Sequence, residues 1–260
     1  MRLLEYSLAG VDRPFFVGVL IVRGTLTITQ RELLAFFCSP IAYVVLVVFL
    51  ALNGYFFSFI NLTSGEEASL RFLFGRFMPL VLLFIMPMLT MRLMSEEFRQ
   101  GTIESLMTAP VSDAAVIVGK FLGTLIFYAL LLATTLVYVV AVSMFGDPDI
   151  GALIAGYIGL LLMGGLYIAV GLFFSTCTSN QIIAVLTSFS VLAVLAVLID
   201  RFASHVEGRL RVVLQHISVG HQFSEFVQGA INLNNVLFFV TSTVFLLFIS
   251  VKVLESRRWR

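Results

Sequence analysis

The chain has 260 residues, of which 60% are hydrophobic and only 12% are charged, and its mean hydropathy is +1.05. This composition excludes an ordinary soluble domain and indicates a protein that has lipid as its main solvent. The net charge of +1 provides no broad basic surface, so the composition argues against binding to nucleic acid.

An interfacial helix is predicted before the first membrane span. Residues Thr27–Phe37 have apolar side chains near helical spacing, with the polar pair Arg31 and Glu32 between them, which is typical of a helix that lies on the inner leaflet. Pro40 should end this helix and let the chain turn into the membrane. A polar cytoplasmic lead into the first span is the alternative interpretation.

Six apolar runs are long enough to cross a membrane, because a span needs about 20 mostly apolar residues. The second run is short unless Leu70–Gly75 extends it, and Pro79 and Pro87 should kink it. The predicted spans are Ile41–Ile60, Phe77–Met91, Val116–Met144, Gly151–Thr176, Ile182–Ile199 and Val236–Val253.

The distribution of lysine and arginine predicts the orientation of these spans. With the N-terminus placed inside, eleven of the sixteen lysines and arginines lie on the inner side and five on the outer side. The positive-inside rule therefore places both termini in the cytoplasm. Lys120, near the inner end of the third span, is expected to snorkel to the interface.

A charged segment, Met94–Asp113, follows the second span on the cytoplasmic side. Ser95 is placed to cap a helix that Pro110 would end. The carboxylates of the segment would suit docking to a soluble partner, whereas a solvated connection between spans explains the composition equally well. Apolar side chains that would seat the helix are Phe98, Ile103, Leu106 and Met107.

The fourth span has small residues four positions apart, at Ala155 and Gly159 and again at Gly165 and Ala169. This spacing lets helix backbones approach closely in lipid. It predicts packing within the helix bundle, not a ligand site.

The segment between the fifth and sixth spans, Asp200–Asn235, is polar enough to leave the membrane core. Its apolar residues predict two short amphipathic helices on the outer face, packed against the bundle or in the outer interface. These residues are Leu210, Val213, Leu214 and Ile217, followed by Phe223, Phe226, Val227 and Ile231.

The sequence offers no nucleotide site. A phosphate-binding loop needs a glycine and a hydroxyl residue at fixed positions around Gly-Lys, but around Gly119–Lys120 these positions hold Ala114 and Phe121. The six predicted spans contain no Asp or Glu, which disfavours a carrier that relies on intramembrane carboxylates. No catalytic constellation is found either, so the chain is predicted not to be an enzyme.

Two sets of side chains could bind metal, and a pair of cysteines could form a disulfide. A structural role is favoured for each. The methionines of the second span could bind copper(I), but methionine also fills gaps in apolar helices. His205, His216 and His221 are unevenly spaced in the outer loop and are expected to be solvated. Cys38 and Cys177 are expected to be small buried residues without a disulfide. The methionines are Met78, Met86, Met88, Met91 and Met94.

The charged segment and its flanks carry a family resemblance. The stretch TMRLMSEEFRQGTIESLMTAPVSDAAVIVGKFLG strongly resembles the intracellular coupling region of type-2 ABC (ABC-2) exporter permeases. Such regions typically read Ser-Glu-Glu, a basic residue, Gly-Thr-hydrophobic-Glu, Leu-x-x-x-Pro-hydrophobic-Ser and Gly-Lys, and nearly every element is present. Three further stretches resemble the branch that includes the gliding-motility permease GldF: RELLAFFCSPIAYVVLVVFLALNGYFF, STCTSNQIIA and ISVGHQFSEFVQGAI.

This resemblance, which covers roughly Gln30 to Trp259, implies partners and a location. Two six-helix subunits, identical copies or paralogues, would pair in the inner membrane of a bacterium. Each would rest on a cytoplasmic ATPase subunit that binds ATP and Mg, so this chain would carry no cofactor. Relatives often occur beside a membrane-anchored auxiliary protein with a large external domain.

The resemblance also implies which residues contact the ATPase. They lie in the coupling segment and in the interfacial helix, which is called the elbow helix in such permeases, and they transmit motion without catalysing a reaction. Carried over residue by residue, they are Glu96, Glu97, Arg99, Gly101, Thr102 and Glu104, with Arg31 and Glu32 on the elbow helix.

The sequence therefore predicts an all-α integral membrane protein with a single permease domain, residues 1–260. Residues 1–40 would form the cytoplasmic N-terminus and elbow helix, residues 92–115 the coupling segment, and residues 200–235 the extracytoplasmic loop. The predicted function is the permease subunit of an ATP-driven export complex with an unidentified substrate. The alternative is a non-transporting complex in which ATP hydrolysis moves an external auxiliary protein.

Overall fold

The computed structural model describes residues 13–63, 70–103, 111–145 and 149–258. Within these residues all regular structure is helical, and six segments are long and apolar enough to cross a membrane. The predicted all-α fold with six spans is therefore confirmed. The spans, numbered 1 to 6, are Pro40–Ser58, Leu73–Gln100, Asp113–Met144, Ile150–Cys177, Gln181–His205 and Leu233–Arg257.

Several spans consist of more than one helix. Two of the divisions are π-helical segments, Leu73–Phe77 in span 2 and Val194–Leu198 in span 5. The α-helices are α1 (Arg13–Cys38), α2 (Pro40–Thr63), α3 (Leu70–Phe72), α4 (Met78–Thr90), α5 (Arg92–Gln100), α6 (Asp113–Thr134), α7 (Leu136–Phe145), α8 (Ile150–Cys177), α9 (Gln181–Ala193), α10 (Ile199–His205), α11 (Arg209–Ile217), α12 (Val219–Val227) and α13 (Leu233–Arg258).

The bundle has two ends. We call the end where α1 passes into α2 the elbow end, and the opposite end, which holds α11 and α12, the far end. Polar residues at both ends start the spans: Ser112, Asp149 and Asn180 accept hydrogen bonds from backbone amides in the first turns of α6, α8 and α9. These caps satisfy amides that have no partner inside the helix.

Span 2 is longer than predicted. The extension at Leu70–Gly75 is present, and after an interruption at Met91 helix α5 continues to Gln100, through residues assigned to the charged segment. Glu96 and Glu97 therefore lie on α5, the last helix of span 2, at its charged end, and not in a separate segment after the span. The boundary predicted from hydropathy falls too early, because hydropathy drops at charged residues whereas the helical backbone continues through them.

Helix α1 is ordered and packs against α6, the first helix of span 3. It runs from Arg13 to Cys38 and is thus longer than the predicted Thr27–Phe37, and α2 begins at Pro40, one residue before the predicted first span. Glycines of α6 permit the close approach: a Cβ on Gly119 would lie 2.8 Å from the Cβ of Ile28, and one on Gly123 would lie 2.9 Å from the Cβ of Glu32. The segment is therefore helical, and its packing against α6 joins it to span 3.

Span 4 occupies the centre of the bundle and contacts spans 2, 3, 5 and 6. Its glycines face large side chains of these neighbours. A Cβ on Gly164 would overlap the ring of Tyr128, and one on Gly171 would overlap the hydroxyl of Thr90. Span 4 can therefore lie against spans 2 and 3 only because these positions lack a side chain.

The two predicted far-end helices are present as α11 and α12, and they differ in packing. Helix α12 buries Phe223 and Phe226 against the bundle, with Phe226 next to Gly159 of span 4. Helix α11 leaves its apolar residues exposed, among them Leu210 and Val213. Only α12 therefore belongs to the packed core, and α11 lies on the surface.

Candidate functional site

Four charged side chains meet at the elbow end. The Nζ atom of Lys120 lies 2.7 Å from Oε1 of Glu32 and 2.9 Å from Oε1 of Glu97. The Nη2 atom of Arg31 donates to the same oxygen of Glu97 at 3.0 Å. We call these four residues the elbow cluster; it joins α1, α5 and span 3 through two cations and two carboxylates.

The elbow cluster is buried on one side and open on the other. The side chain of Lys120 is 2% exposed and those of Glu32 and Glu97 are 12% and 13% exposed, whereas that of Arg31 is 60% exposed. A buried ammonium group is tolerated only when opposite charges compensate the loss of water. Lys120 therefore requires the two carboxylates, while Arg31 contacts Glu97 from the solvent side.

One oxygen of the cluster lacks a partner. Glu97 Oε2 is buried, and no residue in the described ranges forms a hydrogen bond with it. A buried acceptor is stabilised by a hydrogen-bond donor, so this oxygen is a position at which a further donor would bind favourably.

A serine of span 4 binds the beginning of α5. The hydroxyl oxygen of Ser175 accepts hydrogen bonds from the amides of Met94 and Ser95, at 3.0 and 3.1 Å, and donates to the carbonyl of Met91 at 2.9 Å. These groups lie in the first turn of α5, at the interruption of span 2. An inserted side chain is a common cause of such interruptions, so Ser175 both fixes the break and ties α5 to span 4.

The other residues predicted to contact an ATPase lie around the cluster, on the surface of α5 and just after it. Glu96 accepts a hydrogen bond from the side chain of Gln100, and Arg99 is exposed. Gly101 ends α5 with a φ of 70°, a left-handed conformation that favours glycine. Thr102 donates to the carbonyl of Glu97. Glu104 lies outside the described residues, as do Leu106, Met107 and Pro110.

A cleft of about 600 Å³ opens beside the elbow cluster. Its lining combines cluster members with Glu96 and Arg92 and with the exposed thiol of Cys38. The cleft has a mixed polar and apolar lining and lies between α1 and α5. It is therefore a recess in the surface that holds the exposed residues of the predicted ATPase contact.

Three expectations about single residues are wrong. Lys120 does not snorkel, because its ammonium group is buried and paired inside the bundle. Ser95 does not cap a helix from outside: it lies within α5, where its hydroxyl bonds to the carbonyl of Met91, and Ser175 takes the capping role. Cys38 and Cys177 are exposed on this chain, not buried.

The small residues predicted to pack in span 4 are all buried, but they differ in how closely they are approached. A Cβ on Gly159 would lie 2.7 Å from the Cβ of Phe226, whereas one on Gly165 would lie 3.7 Å from Leu125, an ordinary contact. Ala155 and Ala169 have no exposed surface. The tightest approach in this part of the span is at Gly164, next to the predicted position.

The possible metal ligands are dispersed in the structure. Of the methionines in span 2, Met78, Met86 and Met94 are buried among apolar side chains. His205 and His216 each bond to a backbone carbonyl of their own helix. In the described ranges no three residues of His, Cys, Asp or Glu are grouped as metal ligands would be.

Sequence reasoning missed two residues of the site. The role of Lys120 could have been predicted, because a single cation in an apolar run usually pairs with a buried carboxylate. Ser175 gave no signal, because a serine in an apolar helix normally bonds to its own backbone.

Six apolar spans, an amphipathic first helix and a polar junction at one end define a polytopic membrane protein. The family model described as ABC-2 family transporter protein matches residues 49–252 of the chain, and the chain belongs to this family. The match includes Glu97, Lys120 and Ser175, while Arg31 and Glu32 precede it. A search of curated proteins gave no match.

Proposed function

We propose that the chain is the permease subunit of an ATP-driven export complex of type 2, and that the elbow cluster receives motion from a separate ATPase subunit. The observation that carries the proposal is the buried pairing of Lys120 with Glu32 and Glu97. Through it, three elements that are distant in sequence are held at one point. The elbow end would then face the cytoplasm, as the positive-inside rule predicts.

Helix α5 is suited to receive the motion because it joins a charged surface to two other spans. Towards the ATPase it would present Glu96, Arg99 and the residues that follow Gly101. Towards the membrane it is bonded to Lys120 of span 3 and to Ser175 of span 4. A push on α5 would therefore reach spans 2, 3 and 4 together, through charge-assisted hydrogen bonds that are strong at low dielectric.

The remaining partners in this proposal follow from the resemblance. A second copy or a paralogue would complete the membrane part, and ATP and Mg would be bound by the ATPase subunit alone. The GldF-like branch and an external auxiliary protein belong to the same proposal. A cleft of about 750 Å³ at the far end has the size of a ligand site, which supports transport over a purely mechanical role.

The test uses the tagged chain purified with its partners from its own membranes, in a Cys177→Ser background. Mg-dependent ATPase activity should co-purify. The rate at which a maleimide labels Cys38, which lines the elbow-end cleft, should change when ATP and vanadate trap the complex. Glu96→Lys should reduce the amount of ATPase subunit retained, because it reverses a partly exposed charge of the proposed contact.

Glu97→Gln should retain the ATPase subunit but lose most of the ATP-dependent change in Cys38 labelling, since the neutral amide pairs weakly with Lys120. Glu207→Lys, an exposed charge reversal at the far end, is the control and should behave as the wild type. Wild-type complex without ATPase activity would refute the permease proposal. A wild-type labelling response in Glu97→Gln would refute the role of the cluster.

A further inference from the structure

The far end contains a second and larger cleft. It has a volume of about 750 Å³ and lies between spans 2, 4 and 5, beneath α11 and α12. On the span 2 side it extends from Arg76 to Leu83, about two helical turns deeper. Its mouth is thus at the end of the bundle and its floor is among the spans.

Both π-helical segments of the described residues border this cleft. In span 2 the amide of Met78 donates to the carbonyl of Leu73, and in span 5 the amide of Ile199 donates to that of Val194, five residues back in each case. A π-turn widens the helix and redirects side chains, and such turns occur frequently at functional sites. The presence of two π-helical segments beside one cavity indicates that the cavity is a functional site.

Three arginines from three different elements line the mouth. Arg76 belongs to the π-segment of span 2, Arg201 to α10 and Arg211 to α11. Within the described ranges none of them forms an ion pair, and the only carboxylate of the lining is that of Asp200. The mouth therefore has an excess of two positive charges. Arginine is the side chain best suited to bind phosphate or carboxylate oxygens in pairs.

The deeper part of the cleft is apolar apart from one hydroxyl group. Its walls include Phe77, Leu83, Met163 and Val197. Tyr167 also lines the cleft, has only 1% of its surface exposed, and its hydroxyl has no hydrogen-bond partner among the described residues. An unsatisfied buried hydroxyl is unfavourable, and a ligand oxygen at this depth would supply the missing acceptor.

The backbone closes tightly over this cavity at one point. A Cβ on Gly220 of α12 would lie 2.8 Å from the carbonyl oxygen of Ala196, which belongs to the π-segment of span 5. Because a backbone atom cannot move aside, glycine is required for this contact. The far-end helices are thus fixed on the element that forms one wall of the cleft.

From these contacts we propose that the far-end cleft binds an amphiphile with an anionic head group. The head group lies among Arg76, Arg201 and Arg211, the chain lies on the apolar walls, and an ester or head-group oxygen accepts from Tyr167. That this amphiphile is the cargo rests on the proposed permease function. The binding site itself does not depend on ATP.

The test measures lipid binding to the full chain, delipidated in detergent, by native mass spectrometry. The probes are phosphatidylglycerol, phosphatidylcholine with the same acyl chains, and inorganic phosphate as a competitor. Wild type should bind one phosphatidylglycerol per chain roughly tenfold more tightly than phosphatidylcholine, since one charge-assisted contact corresponds to about a factor of ten. Arg201→Gln/Arg211→Gln should lose this preference, and Tyr167→Phe should weaken binding a few-fold.

The matched control is Arg71→Gln/Arg209→Gln, which removes two arginines at the same end that do not line the cleft. It should keep the preference. Equal binding of the two lipids by wild type, a preference that survives in Arg201→Gln/Arg211→Gln, or full displacement by inorganic phosphate alone would overturn the amphiphile site. A single elution peak in size-exclusion chromatography shows that each variant is folded.

The same lipids added to the purified complex test the cargo assignment. Phosphatidylglycerol should raise the ATPase activity of the wild-type complex and leave that of Arg201→Gln/Arg211→Gln unchanged. Binding without stimulation would overturn the assignment as cargo and identify a resident lipid, while the site would stand. Stimulation without binding at the cleft would overturn the site and leave the permease function intact.

Discussion

The two ends of the bundle hold their charges in opposite ways. At the elbow end, Lys120 is buried, and its ammonium group forms ion pairs with two carboxylates. At the far end, Arg76, Arg201 and Arg211 are exposed to a cleft and form no ion pair in the described ranges. Paired buried charges hold elements together, whereas unpaired cations in a cavity contribute little to folding and are free to bind a ligand.

The contrast predicts which substitutions affect stability and which affect only binding. Charge removal at the elbow end should destabilise the bundle. Charge removal at the far end should leave the delipidated protein almost unchanged. The predictions below test this difference in order of decreasing effect.

The largest effect is expected for Lys120→Met. It leaves the carboxylates of Glu32 and Glu97 buried without their cation, which should destabilise the protein by about 3–5 kcal/mol. Thermal unfolding in detergent, followed by size-exclusion chromatography, measures the loss. Adding Glu32→Gln should recover part of it, because one uncompensated charge is then removed.

The control for this prediction is Lys252→Met. Lys252 pairs with Glu255 three residues away, and both side chains are largely exposed, so the pair should contribute less than about 0.5 kcal/mol. Similar losses in the two lysine variants would show that burial of the elbow cluster has no energetic consequence, and the contrast between the two ends would fail.

A smaller effect is expected for Ser175→Ala. The change removes the acceptor of the Met94 and Ser95 amides and should cost about 1–3 kcal/mol. Hydrogen exchange should also become faster in α5 than in the rest of span 2, because α5 loses its tie to span 4.

Ser188→Ala is the matched comparison for Ser175→Ala. Ser188 is equally buried, but its hydroxyl bonds only to the carbonyl of Ala184 in its own helix, so its loss leaves no amide without a partner. It should be nearly neutral. If the two serine variants were equally stable, Ser175 would not be an energetically important tie between α5 and span 4.

The smallest effect is expected for Arg201→Gln in the delipidated chain. The side chain is exposed and forms no ion pair in the described ranges, so the unfolding free energy should change by less than about 0.5 kcal/mol. Added phosphatidylglycerol should then stabilise the wild type more than the variant, because a ligand that binds only the folded state raises its stability. A large loss without lipid would mean that Arg201 has a structural role.

The parts of the fold that depend on local patterns were predictable from the sequence. The six spans follow from the length of the apolar runs, and α11 and α12 follow from helical spacing between Asp200 and Asn235. The end of span 2 was not predictable in this way. Hydropathy falls at Glu96 and Glu97 although the helix continues, because their charges are compensated by residues that a local window does not contain.

The candidate site depends on contacts between distant residues, which explains the errors. Lys120 and Glu32 are 88 positions apart, so the third span viewed alone suggests only a snorkelling lysine. The tight approach at Gly164, beside the predicted Gly165, depends on the rotation of span 4 against Tyr128, and a spacing of four residues does not determine that rotation. A helix in the charged segment was predictable, because the helical spacing of its apolar residues can be read from the segment alone.

The order of the cluster along the chain has a consequence for biosynthesis. All four members lie between Arg31 and Lys120, so the first three spans suffice to neutralise the buried lysine as they leave the ribosome. Ser175 is translated much later. Until span 4 enters the membrane, the amides at the start of α5 have no acceptor from it. The growing chain would therefore assemble its charged junction first and fix the direction of α5 only when span 4 arrives.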